Sequence, residues 1–242
     1  TGPNGFTSST EDLVNIPAGT YTVTVSDVIG CTRTQSFNMG SPEVLAGTLT
    51  PSIQPFGENI ACNGGNSGTF SLALTGGTAP YTINWTGPNG FTSFNQNLTG
   101  LRAGQYNVNV SDANGCTFTS SFTMTEPTQV TATIVETVDV LCFGLNEGEA
   151  MVEASGGLLP YTYSWNTTPV QSSANAIALA AGTYTVLVTD GYGCTKSVSA
   201  TIAGPAAPLG TTANIPTPVS CFGGSTGAAT VTGTGGTSPY TY

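Results

Sequence analysis

The sequence contains no histidine and only three basic residues, against thirteen acidic ones, which gives a net charge of −10. A chain so poor in positive charge does not offer the basic patch that nucleic acids and anionic membrane surfaces require. Charged residues make up only 7% of the chain, and the acidic ones are scattered along it. We therefore expect no nucleic-acid partner.

Long apolar segments are also lacking. No stretch approaches the roughly 18 apolar residues that a membrane-spanning helix needs, and no Ala-, Leu-, Glu- and Lys-rich stretch could sustain a long helix. Gly, Thr, Ser, Asn and Pro dominate instead, which is typical of β-structure with many turns. The composition predicts no membrane insertion and an all-β fold.

The residue patterns that are typical of enzyme active sites are missing as well. Without histidine there is no imidazole base, no pair of carboxylates recurs along the chain, and no Gly-rich loop precedes a helix. No two cysteines are closely spaced in the manner of a zinc site. We expect no enzyme, with no catalytic, cofactor-binding or metal-binding residue.

What the sequence does contain is a repeat with a period of about 78 to 85 residues. The octapeptide TGPNGFTS occurs at residues 1–8 and again at 86–93. A Gly-Cys-Thr triplet recurs, with an Asp four residues before each cysteine and a Tyr of a Gly-x-Tyr motif ten residues before it; its cysteines are Cys31, Cys116 and Cys194. A second set of cysteines leads a Gly-rich turn, 18 residues before a Pro-Tyr pair; these are Cys62, Cys142 and Cys221.

These offsets predict four segments. Residues 1–43 are the C-terminal half of a repeat, 44–127 and 128–205 are two complete β-sandwich repeats, and 206–242 are the N-terminal part of a further repeat. The sequence thus reads as a window in a longer tandem array, with neighbouring repeats of the same chain as its first partners.

Alternating apolar residues mark the strands within a repeat. The stretch EAMVEA, residues 149–154, places its apolar residues on one face, and the stretches PYTYSW and TYTVLV do the same. About seven short strands in some 80 residues, separated by regular turns, are typical of a Greek-key sandwich. We predict tandem immunoglobulin-like β-sandwich repeats of about 80 residues.

Recurring aromatic residues support this fold. Trp85 and Trp165 occupy the place of the buried tryptophan of an immunoglobulin-like sandwich. The Gly-x-Tyr tyrosines are typical of a tyrosine corner, in which the hydroxyl returns to nearby backbone; they are Tyr21, Tyr106 and Tyr184. All five are predicted to lie in the core, with stacking on sugar rings as the alternative for the aromatic residues.

The cysteines favour disulfide bonds in an oxidising, extracellular setting. Pairing within repeats is the favoured hypothesis, Cys62 with Cys116 and Cys142 with Cys194, which would leave Cys31 and Cys221 with partners outside the chain. In a simple immunoglobulin order, however, these positions lie roughly 25 Å apart, at opposite ends of a sandwich, whereas a disulfide needs Cα atoms within about 7 Å. Bonds between neighbouring repeats, joining Cys62 to Cys194, and a reduced state are the two alternatives.

The aspartates before each Gly-Cys pair have two interpretations. Asp27, Asp112 and Asp190 stand in a hairpin turn, where the aspartate side chain caps the backbone. Calcium is the alternative cofactor, but it needs six or more oxygen ligands, and each recurring Asp has few acidic neighbours in the sequence. We favour the structural role and expect no cofactor.

Taken together, the stretches CFGLNEGEAMVEASGGLLPYTYSW, AAGTYTVLVTDGYGCT and ATIAGP resemble the SprB-type repeat. Such repeats occur in very large cell-surface adhesins of gliding bacteroidete bacteria, and more distantly resemble PKD-type modules. The resemblance implies a structural segment, extracellular at the bacterial surface, in the shaft of a secreted adhesin for attachment and gliding motility. It supplies no catalytic or ligand-binding residue. The alternative is a carbohydrate-binding accessory module of an extracellular adhesin or enzyme, with surface polysaccharide as its partner.

Overall fold

A computed structural model describes every residue from Thr1 to Tyr242, and its regular structure consists of β-strands and two 3₁₀ turns, Pro3–Gly5 and Pro88–Gly90. The first two strands are β1 (Gly19–Ser26) and β2 (Thr32–Met39). Seven follow: β3 (Ala46–Pro51), β4 (Gly68–Thr75), β5 (Thr82–Thr86), β6 (Thr92–Ser93), β7 (Leu98–Leu101), β8 (Gly104–Ser111) and β9 (Thr117–Met124). The next six are β10 (Thr131–Val138), β11 (Gly148–Ser155), β12 (Thr162–Trp165), β13 (Asn175–Leu179), β14 (Gly182–Thr189) and β15 (Thr195–Ile202). The last two are β16 (Gly210–Thr217) and β17 (Ala228–Thr234).

The strands pair twice in the order of an immunoglobulin-like sandwich. One set forms sheets β3-β4-β7 and β6-β5-β8-β9, and the other forms β10-β11-β13 and β12-β14-β15. In each set the chain crosses from one sheet to the other and back, which is a Greek-key connection. Strands β1 and β2 pair as a hairpin, as do β16 and β17. The predicted all-β, immunoglobulin-like fold class is confirmed.

The chain forms two compact units. The first comprises residues 1–51, 69–99 and 104–123, and the second comprises residues 52–68, 100–103 and 124–242. The predicted repeat boundaries, after residues 43, 127 and 205, each fall between two strands. The division into repeats stays a prediction from the sequence. No helix in the structure is long and apolar enough to cross a membrane.

The core of the second unit follows the predicted alternation. Along β11, Ala150 and Val152 are buried while Met151 between them is exposed. Trp165 is buried, and its indole Nε1 donates a hydrogen bond to the Ser173 carbonyl at 3.0 Å. Side chains from both sheets complete this core: Val130, Val140, Ala176, Leu179, Val186, Val188, Ala200 and Ile202.

The core of the first unit is aromatic. The ring of Phe70 stacks on Trp85 with centroids 5.5 Å apart and meets Tyr106 edge-on at the same distance. Trp85 is buried, and its Nε1 donates to the Asn95 carbonyl at 2.9 Å. Such pairs are worth about 0.5–1.5 kcal/mol beyond the area they bury. Interior packing therefore accounts for both tryptophans.

Two of the three Gly-x-Tyr tyrosines are buried as predicted, and the third, Tyr184, is only half-buried against the core. Tyr21 is buried and its hydroxyl donates to the Pro17 carbonyl at 2.6 Å, whereas Tyr184 is not among the buried side chains and its hydroxyl donates to Ala180 at 3.1 Å. Tyr106 is buried. The TGPNG motif contributes here, because a Cβ on Gly87 would lie 2.6 Å from the Tyr106 ring. This glycine is required by the close approach of the aromatic ring.

Candidate functional site at the repeat junction

One half of the candidate site is a tight turn that opens each repeat. The Cys62 carbonyl accepts a hydrogen bond from Gly65 N at 2.8 Å, and Ala61 N donates to the Ser67 hydroxyl at 2.9 Å. Ahead of the turn, the backbone N–H groups of Asn59 and Ile60 donate to the Thr125 carbonyl at 3.2 and 3.0 Å. These bonds fix Cys62 next to the residue that follows strand β9.

The other half is the hairpin between β14 and β15, which presents Cys194. One carboxylate oxygen of Asp190, Oδ1, accepts from Tyr192 N at 2.9 Å and from Cys194 N at 2.8 Å. Its Oδ2 accepts from Leu158 N at 2.9 Å. Gly157 has φ +59, and a Cβ there would lie 2.3 Å from Oδ2, so this position needs glycine. The aspartate thus fastens the cysteine hairpin to the neighbouring Gly-Gly turn, as the turn-capping interpretation predicts.

Asp112 makes the same contacts in the first unit. Its Oδ2 accepts from Thr78 N at 2.9 Å, and its Oδ1 accepts from Asn114 N at 2.9 Å and Cys116 N at 2.8 Å. The Thr78 N–H is the largest of the effects that hold the pKa of Asp112 below its ordinary value, helped by the other backbone donors and opposed by burial. Hydrogen bonds to the charged carboxylate are the physical cause.

The two halves meet in a disulfide bond between Cys62 and Cys194. The sulfur atoms are 2.04 Å apart, the Cα atoms are 5.7 Å apart, and 132 positions separate the two residues in sequence. The favoured pairing within repeats is therefore wrong: Cys62 does not bond Cys116, and Cys194 does not bond Cys142. The alternative that joins neighbouring repeats is the one the structure contains.

The length of strand β15 explains why the pairing within a repeat fails. Cys194 directly precedes β15, whereas Val140 N donates at 2.9 Å to the carbonyl of Ala203, which directly follows it. Cys142 comes two residues after Val140 and so belongs to the far end of the strand. Eight residues at about 3.3 Å each separate the two ends by roughly 26 Å, far beyond disulfide reach.

Other contacts surround the disulfide. The rings of Phe56 and Tyr192 meet edge-on with centroids 5.5 Å apart, and Phe56 N donates to the Tyr192 hydroxyl at 3.3 Å. The Asn63 amide donates to the Glu126 carboxylate at 3.1 Å and to the Pro127 carbonyl at 3.0 Å. These contacts hold the linker between β9 and β10 against the opening turn.

The remaining cysteines are exposed and have no disulfide partner within the chain; they are Cys31, Cys116, Cys142 and Cys221. The sequence singled out the cysteines and the aspartate turns but missed the contacts of Phe56 and Asn63. No periodic signal could have found them, because Glu136 and Ile215 occupy the position of Phe56 in the other repeats. Among the aromatic side chains in loops, Phe94 stays 74% exposed.

Two sandwich-type strand sets define the class of this protein, a tandem array of immunoglobulin-like modules. The family model described as SprB repeat matches residues 58–90, 134–169 and 213–242. These three matches confirm the resemblance to the SprB-type repeat that was noted in the sequence. The matches indicate a repeat segment of a cell-surface adhesin, and modules of this kind are typically non-catalytic.

Solved structures that the chain resembles include an amphioxus IgVJ-C2 molecule, at 17% identity and a TM-score of 0.24, covering 65% of this chain and 96% of the other. Another is a C-terminal 282-residue fragment of intimin in complex with the intimin-binding domain of the translocated intimin receptor. It matches at 16% identity and a TM-score of 0.34, covering 73% of this chain and 67% of the other. The comparison with curated proteins gave no match.

Proposed function

We propose that the chain is a covalently braced section of the shaft of a secreted cell-surface adhesin that serves attachment and gliding motility. The observation that carries this proposal is the Cys62–Cys194 bond, which links a turn before β4 to a hairpin beyond β14. Such a bond limits how far two successive modules separate under load, which is what a shaft requires. The protein is not an enzyme in this proposal, and it acts outside the cell.

The placement of the aromatic residues favours a shaft over a carbohydrate-binding module. Sugar-binding sites present aromatic faces to solvent, whereas Trp85 and Trp165 are each only 1% exposed and donate their indole N–H to backbone carbonyls. Phe56 is 64% exposed, but its ring meets Tyr192 edge-on beside the disulfide, which gives it a structural role. Neighbouring repeats are the partners of the shaft, and surface polysaccharide is the partner of the adhesin at another part of its length.

Replacement of modules in the producing cell tests the proposal. Residues 44–205 would be replaced by an equally long pair of unrelated disulfide-braced sandwich modules, and by a flexible Gly/Ser linker of the same number of residues as the matched control. A shaft predicts that the unrelated modules restore attachment and gliding while the flexible linker does not. Loss of attachment with both replacements would contradict the shaft and support a ligand-binding role.

Three further measurements address location, ligand and calcium. Antibody labelling of intact cells is expected to detect the segment at the surface; labelling only after lysis would contradict the extracellular placement. A glycan array probed with the full chain is expected to show no specific binding, and a specific, competable signal would contradict the pure shaft role. Calcium is expected to leave the melting temperature of the chain unchanged relative to chelator.

A further inference from the structure

We infer a pairing rule that goes beyond the proposed function: the opening-turn cysteine of each repeat bonds the hairpin cysteine of the next repeat along the chain. The opening-turn cysteines are Cys62, Cys142 and Cys221, and the hairpin cysteines are Cys31, Cys116 and Cys194. Cys62–Cys194 is the pair of this type that has both members within residues 1–242. The rule assigns Cys142 and Cys221 to hairpins of later repeats, and Cys31 and Cys116 to opening turns of earlier ones.

The hairpin that presents the cysteine is built in the same way each time. In all three copies the aspartate four residues earlier accepts the cysteine N–H through Oδ1, at 2.9 Å for Cys31, 2.8 Å for Cys116 and 2.8 Å for Cys194. The cysteine carbonyl in turn accepts the aspartate N–H at 3.0 Å in each copy. The backbone that positions the bonded Cys194 is therefore also present at the two unpaired hairpin cysteines.

The opening turn is likewise repeated. The cysteine carbonyl accepts the backbone N–H three residues later in every copy, at 2.8 Å for Cys62, 3.2 Å for Cys142 and 3.0 Å for Cys221. All three copies thus share the turn hydrogen bond that the Cys62 carbonyl makes. The four unpaired cysteines are exposed, so that a thiol of a neighbouring repeat can approach them.

Some contacts beside the disulfide are not repeated, and the rule does not use them. Tyr192, which contacts Phe56 beside the disulfide, is replaced by Asn114 and Ile29 in the other hairpins. Asn63, which binds the linker, is replaced by Phe143. The Asp-anchored hairpin and the cysteine turn are common to the repeats, and the rule needs only these.

Formation of each bond is a balanced exchange. A cysteine thiolate of one repeat attacks a low-molecular-weight or protein disulfide of the oxidising compartment, which gives a mixed disulfide and releases one thiolate. The second cysteine thiolate then attacks the mixed disulfide, forms the S–S bond and releases the second thiolate. Two protein thiols lose two protons and two electrons, and the reagent disulfide becomes two thiols.

The mechanical meaning of the rule rests on the proposed shaft function. Successive bonds overlap, because the loop closed by Cys62–Cys194 contains both Cys116 and Cys142. Under the rule those two cysteines bond repeats on either side. Every junction in an array is then crossed by a disulfide. When tension unfolds a repeat, at least one of these bonds limits how far that repeat extends.

Two full copies of the chain joined end to end test the rule, with Asn-Trp inserted between Tyr242 and Thr1 to restore the spacing found around Asn84 and Trp85. The joined chain is oxidised with a glutathione mixture, alkylated, digested with pepsin at low pH and analysed by mass spectrometry. We expect two new bonds, from Cys142 to Cys31 of the second copy and from Cys221 to Cys116 of the second copy, besides Cys62–Cys194 in each copy. Four of the twelve cysteines then stay alkylatable.

Bonds within repeats give a different result. They would join Cys221 to Cys31 of the second copy and Cys142 to Cys194, leaving two alkylatable thiols, and this would overturn the rule. Formation of Cys62–Cys194 with all other cysteines alkylated would also overturn it, as would a fully reduced chain. The variant Cys142→Ser in the first copy should free only Cys31 of the second copy. The control variant Cys116→Ser in the first copy should change no bond. This readout is independent of attachment, so that the rule and the shaft function fail separately.

Discussion

Stretching single molecules of the chain by their two ends measures the load path directly. With the Cys62–Cys194 bond intact, tension passes through the disulfide, and the segment between the two cysteines, which are 132 positions apart, does not extend. At about 3.3–3.6 Å per residue, that segment hides about 450 Å out of a contour length of about 840 Å for 242 residues. The oxidised chain is therefore expected to reach less than half of the length of the reduced chain.

The assay compares the chain before and after addition of reductant, in single-molecule force spectroscopy with handles attached through non-cysteine chemistry. A Cys62→Ser variant should show the long contour length under both conditions, and the matched control Cys116→Ser should behave like the unaltered chain. Pairing within repeats would hide only about 106 residues, or about 365 Å. A gain near that value, or no gain on reduction, would refute the reasoning.

The same bond is expected to stabilise the fold in solution. In the chain-entropy model, closing a loop of about 130 residues reduces the entropy of the unfolded chain by an amount worth about 5 kcal/mol at 25 °C. Urea unfolding of the chain with and without reductant measures this difference. Equal urea midpoints with and without reductant would contradict this stabilisation by the disulfide.

Three further predictions concern the turns and the core. Asp190→Ala should lower the free energy of unfolding by about 2–3 kcal/mol, because three backbone N–H groups lose a charged acceptor. Asp27→Ala, at an exposed hairpin, should lower it by less. Equal losses in the two variants would contradict the anchoring role of Asp190. The pKa of Asp112 is lower in the folded than in the unfolded chain, so its stabilisation is complete above about pH 4 and is lost as pH falls through the folded pKa. The stability difference between the chain and Asp112→Asn, followed by urea unfolding, should therefore shrink below pH 4, and a constant difference would count against it. Trp165→Ala should lower the free energy of unfolding by about 3–5 kcal/mol because it leaves a cavity in the core, and Trp165→Phe should lower it by less. A loss below about 1 kcal/mol for Trp165→Ala would contradict the burial of this side chain.

Sequence periodicity was sufficient for the fold because burial alternates along each strand. The pattern of Ala150, Met151 and Val152 specifies which face of β11 enters the core without any knowledge of distant contacts. The aspartate turns were predictable for a similar reason, since Asp190 contacts backbone two and four residues away. Local rules are sufficient where the partners are local.

Disulfide pairing was not predictable to the same degree. The repeat shows that Cys116 and Cys194 occupy equivalent positions. Equivalent positions are compatible both with pairing within a repeat and with pairing between repeats. The discriminating quantity is the length of the strand between the two ends of a sandwich, because eight residues span about 26 Å. That length argues against a Cys142–Cys194 bond, and in the structure the two cysteines do lie at opposite ends of β15. The contact of Phe56 with Tyr192 had no such signal, since neither residue recurs.

Repeated and unrepeated residues have different consequences for an array of such modules. The cysteines and the aspartates recur, so under the pairing rule a disulfide limits the extension at every junction. The residues around the disulfide differ, since Phe56 and Tyr192 are paired at one junction while Glu136 occupies the position of Phe56 in the next repeat. Bending stiffness depends on these local contacts, whereas the limit on extension depends on the covalent bond. Under the pairing rule, an array of such modules varies in flexibility from junction to junction while each junction keeps a covalent limit on its extension.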